Sequence, residues 1–258
     1  MAAVDASFNG RLALVTGGAG GIGQAVCHLL ATKGVTVVVA DKQLEAAETF
    51  VRSLPGDAKH QAMYVDVGDP LSVEQLFTGI RNSFSEPLSI VAHCAGIVRA
   101  APLTKSTDEL FDEVIKIDLK GTFLVNRAAG RDMLRSGSHI SEGGGAIVNI
   151  SSLAAKCGSL QSCAYAAANA GIVALTKSAA LELAKHGIRC NVVVPGWVET
   201  PSMANVDESS KSAVLSTTPL QRAAQPREIA EAIVFLCSPL ASSYITGSVL
   251  EVTGGFRM

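Results

Sequence analysis

No stretch of this 258-residue chain approaches the roughly 18–20 consecutive apolar residues that a membrane-spanning helix needs. No cluster of lysine or arginine stands out either. With 21 basic against 23 acidic residues the formal charge is −2, which argues against a nucleic-acid-binding surface. Between Met1 and Asn9 there is no basic segment followed by a long apolar one, so no secretory signal is expected. The lack of arginine before Arg11, together with Asp5, weakens a cleaved transit peptide without excluding import. The six cysteines (Cys27, Cys94, Cys157, Cys163, Cys190 and Cys237) form no C-x-x-C pair, and no histidine stands at ligand spacing from them. They read as buried, reduced thiols suited to a reducing compartment, and no metal site is expected.

What is present is an alternation of short β-rich runs and longer helical patterns. Strands are expected at Leu12–Thr16, Thr36–Ala40, Gln61–Val65, Ser89–His93, Ala146–Ser151, Arg189–Val194 and Ser248–Val252. Helices are expected at Gly21–Lys33, Leu44–Leu54, Pro70–Phe84, Thr107–Arg135, Cys163–His186 and Pro226–Cys237. Continuous apolar strands separated by helices imply a parallel sheet covered on both faces. The expected fold is therefore α/β: a Rossmann-like doubly wound sheet of about seven strands in a single domain. Residues 10–97 carry mainly the cofactor half, and residues 110–258 the catalytic half. No linker or internal repeat is visible. Ser136–Gly145 reads as a Gly/Ser-rich loop, and the aperiodic segment Gly196–Gln225 as a substrate lid.

The first strand runs into Thr16-Gly17-Gly18-Ala19-Gly20-Gly21-Ile22-Gly23. Glycines at 17, 21 and 23 let the backbone turn tightly and approach a pyrophosphate, and the helix start offers free N–H groups to it. Asp41 ends the second strand, where a carboxylate can accept from both adenosine ribose hydroxyls and repel a 2′-phosphate. The competing reading is a cap for the helix beginning near Gln43. Lys42 flanks the site and softens that repulsion, yet the balance favours NAD(H) over NADP(H). Asp66 and Val67 follow the third strand, and Asp66 is in reach of an adenine edge. Cys94, Ala95 and Gly96 follow the fourth, where Gly96 lets backbone approach a ribose. Taken alone, either pair of strand ends is plain turn chemistry.

Ser151 and Ser152 end the apolar run Ala146-Ile147-Val148-Asn149-Ile150, and Tyr165 opens the next helical pattern. A hydroxyl at a strand end and a phenol on the following helix can converge on one carbonyl oxygen, the first as donor and the second as acid. A phenol with a pKa of about 10 does this poorly at neutral pH without a nearby cation. At i+4, on the same helix face, stands Asn169 rather than a lysine.

With T-G-x-x-x-G-I-G, the C-A-G turn, the Ser–Tyr spacing and Pro195-Gly196 in order, the chain resembles the short-chain dehydrogenases/reductases over residues 10–258. Within that family it is most similar to the 3-oxoacyl-carrier-protein reductases. The resemblance maps the catalytic serine and tyrosine onto Ser152 and Tyr165, the asparagine position onto Asp118, and the lysine position onto Asn169. It places the cofactor against Gly17, Gly20, Gly21, Ile22, Gly23, Asp41, Asp66, Val67, Cys94, Ala95, Gly96, Pro195, Gly196, Val198 and Thr200, with Tyr165 and Asn169 beside the ribose.

Two of the four catalytic positions depart from the family. A cation about 4 Å from the phenol, at an effective dielectric near 20, is worth roughly 4 kcal/mol, or about 3 pKa units. Asn169 supplies no charge, and an ionised Asp118 pushes the phenol further up. Lys177 is too far along the helix to substitute, and nothing in the sequence aims Lys156 at the ribose.

The resemblance implies an NAD-dependent oxidoreductase acting on a small-molecule secondary alcohol or ketone, a 3-oxoacyl thioester or a hydroxysteroid, with impaired or atypical chemistry. The alternatives are a cofactor-loaded, non-catalytic subunit and a sugar or polyol dehydrogenase. Apolar lid residues Trp197, Val198, Met203, Val206, Val214 and Leu215 favour the apolar substrates. The resemblance also implies a homotetramer, or a heterotetramer with a related reductase, and a mitochondrial matrix location with a cytoplasmic one as the alternative.

Overall fold

Leu12-Ala13-Leu14-Val15 carries no polar side chain, so a strand here requires cover on both faces. In a computed structural model that describes residues 6–135, 144–203 and 208–257, this run is the fully buried strand β1 (Leu12–Thr16). β2 (Thr36–Asp41), β3 (Gln61–Tyr64), β4 (Leu88–His93), β5 (Gly145–Ile150), β6 (Ile188–Pro195) and β7 (Val249–Val252) complete one sheet. Its order is β3-β2-β1-β4-β5-β6-β7, with every neighbouring pair parallel. The strand order reverses between β1 and β4, so the ligand crevice lies beyond the carboxyl ends of these two strands. The doubly wound, seven-stranded, single-domain architecture matches the one expected.

Alternate residues of β1 face opposite layers. Ala13 and Val15 pack with Val26 and Leu30 of α1 (Gly21–Thr32) and with Ile229 and Ile233 of α9 (Pro226–Cys237). Leu12 and Leu14 pack with Leu76 and Phe77 of α3 (Pro70–Ser83) and with Leu124 and Val125 of α5 (Gly121–Met133). Local signals set the helix starts. Asp69 accepts from Leu71 N at 3.1 Å ahead of Pro70. Gln225 and Glu228 form a reciprocal capping box on α9. α2 (Leu44–Val51) and α7 (Cys163–Leu183) fill the remaining crossovers.

The expected helix Thr107–Arg135 is broken in the middle. α4 (Asp108–Val114) passes into a π-helical turn, Ile115–Lys120, before α5 resumes. Two features account for it. The Thr122 hydroxyl donates to the Asp118 carbonyl, supporting the widened turn from the side. Gly121 lies so close to Val67 that a Cβ there would sit 3.0 Å from Val67 Cγ2. Such turns gather at functional sites, and this one carries Asp118.

Two short helices were not anticipated: α6 (Ala154–Cys157) and, inside the expected lid, α8 (Glu208–Ser216). The polar run Glu208-Ser209-Ser210-Lys211-Ser212 hides the apolar periodicity of α8. Val206 and residues 136–143 of the expected Gly/Ser loop lie outside the described residues.

Between α5, β5 and α7 a polar cluster interrupts the apolar core. Asn126 Nδ2 donates to Asn149 Oδ1 at 2.8 Å, and Asn149 Nδ2 donates back to Asn126 Oδ1 at 3.0 Å. Asn149 also donates to Thr176 Oγ1 at 2.9 Å. Truncating either partner leaves buried amide groups unpaired, at about 1–3 kcal/mol. Asn126→Ala and Asn149→Ala should each lose that much in urea denaturation. The double variant should lose at least about 1 kcal/mol less than the sum of the two, because each truncation strands the other's amide. Strict additivity would mean that the pair is not coupled.

Candidate active site

After β1 the chain turns at Gly17 with φ +63°, where a Cβ would lie 2.7 Å from Ala95 N. At Gly23 a Cβ would fall 2.0 Å from Gly17 O, inside the turn itself. Both positions therefore require glycine. Gly18 N donates to Ala40 O and Gly20 N to Gly17 O, each at 3.1 Å, which fixes the loop against β2. Among the described residues no side chain caps the start of α1 at Gly20 or accepts from the N–H groups of Gly21, Ile22 and Gly23. Thr200 arrives from the segment after β6, and a Cβ on Gly21 would be 3.1 Å from its Cγ2. An uncapped helix start beneath a bare glycine turn fits a pyrophosphate.

Asp41 makes the local contacts of the competing reading, bonding the backbone on both sides of it. Its Oδ2 accepts from Ala19 N at 3.0 Å and its Oδ1 from Gln43 N at 2.9 Å. Each oxygen retains a lone pair for a ribose hydroxyl. Asp66 is held by Gly68 N at 3.0 Å on Oδ1, while Oδ2 pairs with Lys42 Nζ at 3.0 Å. That ammonium, followed by the Gly68 N–H, holds the Asp66 carboxyl below its usual range although partial burial opposes it. Val67 spends its side chain on packing against Gly121.

Cys94 N continues the ladder to Thr16 O at 3.0 Å, and burial pushes its thiol far up, so it is no nucleophile. Ala95 packs against the α3–α5 core layer. Gly96 faces Asp118, with a Cβ there 3.4 Å from Oδ1. Pro195 ends β6, and Gly196 N donates to Val252 O at 3.0 Å. Val198 is buried in the α1–α9 core layer.

Ser151 and Ser152 have separate tasks. Ser151 Oγ donates to the Asn169 carbonyl at 2.9 Å, tying the β5 end to α7. Ser152 Oγ accepts from Ala154 N at 3.2 Å, and its hydroxyl draws the Tyr165 phenol pKa down. Asp118 is buried, and its Oδ1 accepts from Ile97 N at 2.8 Å. Burial pushes its carboxyl up to about 7, against the pull of the Ile97 N–H and of Arg99, while Glu113 adds to the rise. Arg99 and Glu113 are themselves paired at 2.9 Å.

The Tyr165 phenol is raised above its ordinary value, first by burial and then by Asp118; the bonds from Ser152 and Asn169 pull the other way. The expected rise is there, but its main cause is desolvation, and Asp118 is only partly ionised at neutral pH. Asn169 Nδ2 donates to the Tyr165 carbonyl at 2.9 Å, so one of its two amide hydrogens is used inside the helix. Lys156 Nζ pairs with Glu251 Oε1 at 3.0 Å, an engagement on β7. No sequence signal pointed to Ile97, because it acts through its backbone N–H.

A family model described as enoyl-(acyl carrier protein) reductase matches residues 17–257. The chain is 41% identical over 255 residues to a (3R)-3-hydroxyacyl-CoA dehydrogenase of Mus musculus, covering 96% of each chain. It is 34% identical over 249 residues to a 3-oxoacyl-[acyl-carrier-protein] reductase of Thermotoga maritima, covering 96% of this chain and 98% of that one. A solved short-chain type dehydrogenase/reductase from Mycobacterium ulcerans superposes with a TM-score of 0.88 at 29% identity, over 96% of this chain and 90% of that one. Glycine turn, parallel sheet and Ser–Tyr pair therefore define one class: the chain belongs to the short-chain dehydrogenases/reductases, and it is an oxidoreductase. Within the class it resembles the 3-oxoacyl-carrier-protein reductases. Among the described residues no helix is long and apolar enough to cross a membrane.

The carboxyl of Asp118 sets a stability prediction. Its folded pKa of about 7 exceeds the unfolded value of about 3.9, so the native state holds the proton longer. Stability contributed this way is present below about pH 4 and lost as pH rises through 7, by an amount on the order of a few kcal/mol. Asp118→Asn keeps an acceptor for Ile97 N and removes the titration. Thermal melts should show the variant gaining on the parent protein as pH rises from 5 to 8. A gap that does not change with pH would place the Asp118 pKa near its ordinary value.

Proposed function

We propose that this chain is an NAD(H)-dependent oxidoreductase that interconverts 3-hydroxyacyl and 3-oxoacyl thioesters with weakened proton transfer. The observation that carries the reading is the Ser152–Tyr165 pair at the mouth of the crevice, with Asn169 turned to its own helix where a cation would serve the phenol. Asp41, set to meet a ribose edge, supports NAD over NADP. The names of the mouse and Thermotoga relatives support the acyl thioester class.

A nicotinamide bound in the crevice supplies or accepts the hydride. The Ser152 hydroxyl donates to the substrate oxygen and lowers the cost of charge developing there. Tyr165 gives that oxygen a proton in reduction and takes one in oxidation. Its raised pKa keeps it a competent but reluctant acid and leaves little phenolate at neutral pH, so oxidation suffers more. Asp118, close to half-protonated at pH 7, sits where it senses the charge on the phenol.

A second reading, a cofactor-loaded subunit of a hetero-oligomeric reductase, is favoured by the loss of the cation together with the engagement of Lys156 on Glu251. A tetrameric assembly, of one or two chain types, is supported by Phe111 and Phe123, large apolar side chains exposed on α4 and α5. A monomer of 26.6 kDa by light scattering at micromolar concentration would refute it.

Asn169→Lys should raise turnover on acetoacetyl thioesters by about 10²–10⁴-fold, the usual worth of acid–base catalysis. NADH affinity should change far less. The pH at which alcohol oxidation rises should move down, because the new cation lowers the phenol pKa. Adding Asp118→Asn should help further but non-additively, since both changes act on one proton path. A variant that binds NADH yet leaves every carbonyl untouched would favour the non-catalytic subunit. High activity in the unaltered chain would overturn the argument about charge at Tyr165. Separately, Asp41→Ala should weaken NADH binding and narrow the gap to NADPH. Fluorescence titration in which the parent protein binds NADPH more tightly than NADH would sink the NAD assignment.

A further inference from the structure

We propose that Asp66 is a determinant of cofactor choice, acting by holding Lys42 away from the place where a 2′-phosphate would sit. The inference rests on the reading of Asp41 as the ribose carboxylate and adds a second residue to that selectivity. Lys42 directly follows Asp41, and its side chain is 68% exposed. Left free, an ammonium on a flexible four-carbon stem is a natural counter-charge for a phosphate and would offset the repulsion from Asp41. Instead its Nζ lies 3.0 Å from Asp66 Oδ2.

The two partners differ in freedom, and that difference decides which one is captured. Asp66 is anchored at both ends: its backbone N donates to Ser72 Oγ at 2.9 Å, and its Oδ1 accepts from Gly68 N at 3.0 Å. Because β2 and β3 pair with Asp41 opposite Tyr64, Asp66 stands two residues past the end of the neighbouring strand, just beyond the level of Asp41. A second cation lies close by, since a Cβ on Gly68 would be 3.4 Å from Lys116 Cε and Lys116 also draws the Asp66 carboxyl down. With Asp66 ionised, two carboxylates face two ammonium groups. Without it, the corner gains a net positive charge and an untethered lysine, the setting that favours NADP(H).

The test is calorimetric binding of NADH and NADPH, with ADP and 2′,5′-ADP as probes lacking nicotinamide, to the full chain and to Asp66→Asn, Lys42→Met and the double variant. Asp66→Asn retains an acceptor for the Gly68 N–H, so the turn is preserved. Should the Asp66 carboxylate also serve the adenine, its removal weakens both members of each probe pair alike, which leaves the ratio informative. The expected result is an Asp66→Asn protein whose preference for the unphosphorylated partner falls about two- to five-fold, the worth of an exposed ion pair. The shift should shrink in high salt and disappear when Lys42→Met is added. An unchanged ratio in Asp66→Asn, or a shift that survives Lys42→Met, would overturn the role of Asp66 while leaving the Asp41 reading intact. A parent protein that binds neither cofactor, or that prefers the 2′-phosphorylated probes, would overturn the Asp41 reading and this inference with it.

Discussion

The reciprocal amide bond between Asn126 and Asn149 sits where the three elements that build the catalytic end meet. Asn126 belongs to α5, which begins directly after the turn that carries Asp118. Asn149 lies three residues before Ser152 on β5. Thr176, the third member, is on α7, which begins near Tyr165. A polar cluster in an apolar interior tolerates few arrangements, because a slip of one residue on any element leaves amide groups unpaired. The apolar contacts of the same layer are less demanding. Packing supplies the cohesion here, and the amides fix the register. The Ser151 hydroxyl on the Asn169 carbonyl repeats this at the end of β5, so Ser152 and Tyr165 are aligned by polar bonds on either side.

Against that rigid frame, burial dominates the electrostatics of the site. Burial is the largest influence on both Tyr165 and Asp118, and in each it favours the protonated form. A lysine at position 169 would counter burial at the phenol; an asparagine adds only a hydrogen bond. Asp118 does not simply add a negative charge, since the same burial partly neutralises it. Burial thus biases both the phenol and the carboxyl toward their neutral forms.

Nearly all of the fold was legible in the sequence, because it rests on signals that survive without neighbours. Short, β-branched apolar runs such as Val37-Val38-Val39-Ala40 read as central strands, and the glycine turn marks the switch point. The interruption at Ile115–Lys120 was not legible: its cause is the approach of Gly121 to Val67, a contact between residues more than fifty apart. α8 escaped for the opposite reason, since its first five residues are polar and it is too short to show a period. Among the site residues, Asp41, Ser152, Tyr165, Asn169 and Asp118 were named from spacing and resemblance, and the structure gives each a set of partners. What spacing could not give was the occupation of those partners: Lys42 on Asp66, Lys156 on Glu251, and the Asn169 amide on its own helix.

The Lys156–Glu251 contact joins the short helix behind Ser152 to the last strand of the sheet. β7 is an edge strand, paired among the described residues with β6 alone. The ion pair is a second link between that edge and the serine loop, beside the backbone route in which Leu153 N bonds Pro195 O and Pro195 stands opposite Val252. The linkage is a slack tether rather than a rod, for both side chains are substantially exposed and the pair is screened by salt. Salt therefore weakens the side-chain link while the backbone route through β6 stays intact.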